Sequence, residues 1–246
     1  MDGLLFLAHR IPFPPNKGDK IRSFHLLRHL AQRYRIYLGA FVDDADDWQY
    51  AEALAPYCAE IKLLALHPRR NKLKSLVGLA TGEALSLPYY RNGALSQWAQ
   101  QRVEDGRVKY GLAFSSVMGQ FMPQGLVRTV MDMVDVDSDK WTQYAPSQSW
   151  PLSWLYAREG HKLGAWEARM AQQFDATLLV SGAEAALLQG RVLTVAGRQG
   201  TPCGGVNTWR NQSHRPVHQQ NTDRAVTMFA ASTYKGMRHC SANVGL

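Results

Sequence analysis

LLFLAHRIPFPPNKGDKIRSFHLLRHL, residues 4–30, is the stretch on which the fold turns. The unbroken apolar run 4–8 has the length and composition of a buried strand. A Pro-rich loop, 11–15, follows it. Then Asn16-Lys17-Gly18-Asp19-Lys20 opens a helix, in which Ile21, Phe24, Leu27 and Leu30 recur at the three-residue spacing of one helix face. A strand that ends in a Gly-containing loop at a helix start puts free backbone N–H groups and a positive dipole end at a sheet edge. That is where open α/β proteins hold anionic groups.

The same alternation continues along the chain. Strands are predicted at 4–8, 36–42, 61–66, 111–115, 129–134 and 176–180. Helices are predicted at 19–32, 47–55, 73–79, 94–104, 152–174 and 183–188. Strands that alternate with helices predict an α/β fold, a Rossmann-like parallel sheet with helices on both faces. Near Gln189 the pattern stops. Residues 190–246 are rich in Gly, Gln, Asn, Arg and His and show little period, so an irregular tail is expected there. Translation in a disrupted frame is a second account of that composition.

Composition narrows the function. The 246 residues carry a net charge of +8, but seven of the 28 Lys/Arg and one of the 20 acidic residues lie in 190–246. The first 189 residues are therefore near charge balance, and nucleic acid is not an expected partner. Cys58, Cys203 and Cys240 are far apart and form no C-x-x-C pair, so neither a disulfide framework nor a zinc site is expected. No apolar run reaches membrane-spanning length and the start lacks a basic leader, which leads to a cytoplasmic expectation.

Four segments carry the chemistry-bearing residues. In the first loop, Gly18 permits close backbone approach, and Lys17 and Lys20, with Arg22 assisting, suit phosphate oxygens. Equally, Asp19 can cap the helix there. After the strand at 129–134, Asp135 and Asp137 lie two apart and suit either a shared hard cation or a crevice wall, and Asp137 or Ser138 can instead cap a helix. Ser181 is placed as an N-cap, with Glu184 completing a capping box, and a ligand contact by Ser181 is the secondary reading. In HPRRNKLKSLVGL, 67–79, the bases Arg69, Arg70, Lys72 and Lys74 interleave with apolar residues, as on a plain surface helix or at an anionic membrane surface. Singly, His9 stands just after the first strand, within reach of a substrate hydroxyl. His25 and His29 lie four apart without a third ligand, and Tyr89-Tyr90-Arg91 suits sugar stacking or core.

Three of these stretches together, HRIPFPPNKGDKIRSFHLLRHLA at 9–31, DMVDVDSDKWTQYA at 132–145 and VSGAEA at 180–185, resemble the sugar transferases of exosortase (PEP-CTERM) exopolysaccharide systems. Those are GT-B glycosyltransferases of the family 4 type. The resemblance spans roughly residues 3–189. It implies that 1–189 is the acceptor-side domain, with 190–246 left as an irregular or frame-disrupted tail. It also implies a nucleotide-sugar co-substrate, no other cofactor and no metal, a saccharide or lipid-linked acceptor, and work at the inner membrane face. The residues at Gly18 would approach the donor diphosphate. His9, Asp135 and Asp137 would face the acceptor, with Asp135 as base and His9 as a second catalytic residue. GGVNT at 204–208 echoes the family's interdomain segment, and about 40 residues follow it where a second Rossmann-like domain needs on the order of 150. A truncated, impaired transferase is therefore expected. Two readings stand beside it. One is a Mg²⁺-dependent phosphoryl transferase built on Asp135 and Asp137, and the other is a non-catalytic acceptor- or membrane-binding module.

Overall fold

The computed structural model of the chain describes residues 1–196. Its elements follow in the order β1 (Gly3–Ala8), α1 (Gly18–Leu30), β2 (Arg35–Val42), β3 (Glu60–Ala65), α2 (Pro68–Ser75), α3 (Val77–Thr81), α4 (Ser86–Tyr90), α5 (Gly93–Glu104), β4 (Tyr110–Phe114), β5 (Arg128–Val134), α6 (Asp137–Tyr144), α7 (Leu152–Gln173), β6 (Ala176–Leu179) and α8 (Gly182–Ala196). The strands form one parallel six-stranded sheet in the order β3-β2-β1-β4-β5-β6. The expected α/β, Rossmann-like architecture is therefore the observed one.

The period of two along β1 builds both cores. Leu4, Phe6 and Ala8 face one side, where Phe24, Leu27 and Leu30 of α1 cover them. Leu5 and Leu7 face the other side, where Leu95 and Trp98 of α5, Leu163 and Met170 of α7, and Leu188 of α8 pack. Each such Leu, fully withdrawn from water, contributes about 1.5–3 kcal/mol. α6 lies tight against α7 because α7 carries Gly160 there. A Cβ at that position would stand 3.0 Å from the Ser138 carbonyl oxygen.

Several local expectations change. Residues 45–57 form two 3-10 turns, Ala45–Tyr50 and Glu52–Tyr57, in place of a helix over 47–55. Pro56 lies inside the second turn, and Leu54 is the one apolar side chain these turns bury, too little for an amphipathic face. The helix expected at 73–79 begins earlier, at Pro68, a residue suited to the first helical position, and is divided at Leu76 into α2 and α3. Ile21 stays half-exposed, whereas Arg22 beside it is buried. α8 runs past residue 189 to Ala196, so residues 190–196 are helical. Cys203, Cys240 and the GGVNT segment lie outside the described residues.

Candidate active site

β1 connects through α1 to β2 on one side, and β4 starts the walk to β5 and β6 on the other. The crevice beyond the carboxyl ends of β1 and β4 is therefore the topological switch point of the sheet, where open α/β folds bind ligands. A cleft of about 560 Å³ lies there. His9, Asp19, Phe114 and Ser115 come to it from the ends of β1 and β4 and the start of α1. Val134, Asp135, Asp137 and Lys140 come from the end of β5 and from α6. Tyr90, Trp141, Tyr144 and Tyr156 supply aromatic walls.

His9 is held from three sides. Its ring stacks on Phe114, with centroids 5.9 Å apart and planes 4° from parallel, and meets Tyr90 edge-on at 6.3 Å. Its Nε2 lies 3.3 Å from Asp19 Oδ2. Arg10 Nη1 donates to the same Asp19 oxygen at 2.8 Å, and the Arg10 Nε is forked onto both Asp43 oxygens at 3.0 Å. The hydrogen bond from His9, reinforced by the Arg10 charge, holds the Asp19 carboxyl well below the usual carboxylate range despite partial burial. The carboxylate therefore stays ionised and fixes the imidazole. With Nε2 turned to Asp19, Nδ1 is a buried ring nitrogen with no partner among the described residues.

The opposite wall is a second charged group. Lys140 Nζ donates to Asp135 Oδ2 and to Asp137 Oδ1, each at 3.0 Å. Partial burial works against the ammonium, but Asp137 and Asp135 raise its pKa well above the ordinary lysine value. The cation these two carboxylates share is thus the chain's own lysine. Beneath them, Ser115 (φ 80°) and Val134 (φ 67°) occupy left-handed backbone at the ends of β4 and β5. For a β-branched valine that conformation is strained, and such strain collects at ligand sites.

Remote glutamates secure the floor. The Ser138 N–H donates to Glu167 Oε1 at 3.2 Å and the Ser138 hydroxyl to Oε2, so α7 caps the start of α6. Burial pushes the Glu167 carboxyl up to about 7. The Val136 N–H donates to Glu184 Oε2 at 2.6 Å.

The candidate residues divide accordingly. His9, Asp19, Asp135 and Asp137 share the cleft. Lys17 and Gly18 are exposed at the start of α1 and do not line it. Lys20 turns inward, 1% exposed, with its ammonium 2.5 Å from Asp47, and Arg22 forks onto Asp132 at 3.0 and 3.1 Å. Neither cation is available to a phosphate, because each neutralises a carboxylate inside the protein. Ser181 is exposed and accepts the Glu184 N–H at 3.2 Å, and the Glu184 carboxylate leaves the box for Val136. Arg69, Arg70, Lys72 and Lys74 stand in solvent on α2. The sequence reading passed over Arg10, Asp43, Lys140 and the walls at Trp141, Tyr144 and Tyr156, whereas Tyr90 was among the residues suited to sugar stacking or core. The signal for Asp43 was present, since it follows directly on β2, the strand beside β1.

No family model and no curated protein matches the chain. Among solved structures it is similar to that of Medicago truncatula UGT71G1 complexed with UDP-glucose, at 9% identity and a TM-score of 0.36, over 80% of this chain and 49% of that one. It is also similar to a complex between 3,4-dichloroaniline and a UDP-glucosyltransferase from Polygonum tinctorium capable of glucosylating indoxyl, at 11% identity and a TM-score of 0.40, over 89% and 55%. The chain spans about half the length of each.

Proposed function

We propose that the chain forms the acceptor side of a glycosyltransferase that moves a sugar from a nucleotide-sugar to a saccharide or lipid-linked acceptor in exopolysaccharide synthesis. The observation that carries this reading is the His9–Asp19 pair at the switch-point cleft. Sugar transfer needs a group that takes the acceptor hydroxyl's proton as the new glycosidic bond forms and the bond from the anomeric carbon to the donor's diphosphate breaks, releasing the nucleoside diphosphate. A neutral imidazole suits that task at physiological pH. The His9 imidazole accepts the proton, and the ionised Asp19 beside its Nε2 stabilises the imidazolium that results. Aromatic walls at Tyr90, Trp141, Tyr144 and Tyr156 suit the apolar faces of pyranose rings. Asp135, tied to Lys140, shapes the acceptor pocket in this scheme and is not the base. A second Rossmann-like lobe grips the nucleotide.

The test pairs donor-dependent sugar transfer with acceptor binding measured without donor. His9→Ala is expected to slow transfer about 10²–10⁴-fold while acceptor affinity changes severalfold at most. Asp19→Asn is expected to follow it, because the imidazole loses its orienting charge. Failure of saccharides to perturb the cleft residues in an NMR titration would sink the acceptor-side reading. Robust turnover by the 246 residues alone would refute only the separate nucleotide lobe.

A further inference from the structure

Two segments far apart in sequence leave apolar side chains in water on neighbouring helices. On α2 and α3, Leu73 is 71% exposed, and Leu76, Val77 and Leu79 are exposed as well. At the start of α7, Trp150 is 81% and Trp154 56% exposed, with Leu152 beside them. The segments adjoin. Arg158, one turn beyond Trp154 on α7, donates to the Gly78 carbonyl of α3 at 2.7 Å, and Glu159 accepts the Leu85 and Ser86 N–H groups just after α3. α2 adds Arg69, Arg70, Lys72 and Lys74, all exposed, and carries no acid.

We propose that this composite face docks the chain on the surface of an anionic phospholipid bilayer. A globular surface does not ordinarily leave two tryptophans and five branched aliphatic side chains in solvent on adjoining elements. Their chemistry matches the boundary between headgroup and acyl chain. Tryptophan sits at headgroup level, leucines enter the acyl boundary, and lysine and arginine meet lipid phosphates. Charge complementarity selects an anionic bilayer as the occupant. Tyr156, on the same helix as Leu152 and Trp154, lines the cleft, so the cleft and the docking face share α7. An acceptor carried on a lipid then reaches His9 from the membrane side. That last consequence rests on the transferase reading, and the docking itself does not.

Vesicle co-sedimentation of the full chain tests the docking, with phosphatidylglycerol–phosphatidylcholine vesicles compared with phosphatidylcholine alone. Binding to the anionic vesicles is expected, weakening with salt. Neutralising Arg69, Arg70, Lys72 and Lys74 to Gln should weaken it by about fivefold per charge, the factor that about 1 kcal/mol per basic residue near anionic lipid represents. Brominated lipids should quench tryptophan emission in the native chain, and the quenching should largely vanish in Trp150→Ser/Trp154→Ser. Both variants alter solvent-exposed side chains, and thermal unfolding confirms that each is folded. Equal binding to both vesicle types overturns the proposal, as does native-like binding by the folded neutralised variant. Concentration-dependent self-association that Trp150→Ser/Trp154→Ser abolishes, without vesicle binding, also overturns it and assigns the face to a second copy of the chain.

Discussion

The basic side chains along the first turns of α1 point into the protein, and those of α2 point out of it. Lys20 and Arg22 are 1% and 5% exposed, each against one carboxylate that is itself buried, Asp47 and Asp132. Arg69, Arg70, Lys72 and Lys74 stand in solvent on a helix with no acid of its own. What separates the two helices is the company the fold brings to them. β5 carries Asp132 beneath α1, 110 residues on, and the turn after β2 brings Asp47. A cation therefore belongs to the structure where a distant acid meets it. It is left for a partner where none does.

The sharpest break of this contrast is Asp132→Ala. It strands the Arg22 guanidinium inside the protein, and loss of one member of a buried pair costs about 3–5 kcal/mol. Urea unfolding should show the midpoint fall without a large change in slope. The double variant Arg22→Met/Asp132→Leu should recover most of the loss, since exchanging both members of such a pair for apolar residues of similar size is often near neutral. If the double variant is as unstable as the single one, the fork does more than neutralise charge.

Glu167 sharpens the comparison, because it is a buried acid without a close cationic fork. Its partners are the N–H and hydroxyl of Ser138, with Arg191 Nη1 3.8 Å away. Burial accordingly pushes it up to about 7, where an unfolded glutamate titrates near 4.5. Below about pH 4.5 the carboxyl is protonated in both states, and its contribution to stability is fully present. As pH rises toward 7 the unfolded chain ionises first, and stability falls by on the order of 3 kcal/mol before levelling off. Glu167→Gln should flatten that slope, as read from urea midpoints across the interval. A slope unchanged by the substitution would mean that Glu167 ionises normally in the folded protein.

The sheet was legible in the residues because each strand is an apolar run between turn signals, and burial on both faces demands that pattern. All six predicted strands appear within about two residues of their expected ends. The cleft was legible only in part. His9 and Asp19 could be placed because strand ends and helix starts are local features. The role of Lys20 could not, since it depends on Asp47 arriving from 27 residues away. Glu184 had the spacing of a capping box, but Val136 competes for its carboxylate from 48 residues away. Short-range rules identify the groups that can bond. Long-range packing decides which of them do.

The smallest expected effect is the most telling one. Neutralising Arg69, Arg70, Lys72 and Lys74 should each change folding stability by no more than about 0.5 kcal/mol, the usual range for surface positions without special contacts. Of the four, Lys74 alone has a side-chain hydrogen bond to another segment among the described residues, to the Arg91 carbonyl, so it sits at the upper end of that range. The same substitutions should abolish any preference for anionic vesicles. A fold that is indifferent to these charges and a surface that depends on them form the mirror image of α1, where stability depends on the charges and no ligand can reach them. If the α2 substitutions instead lowered stability by several kcal/mol, those cations would be structural after all, and the distinction drawn between the two helices would fail.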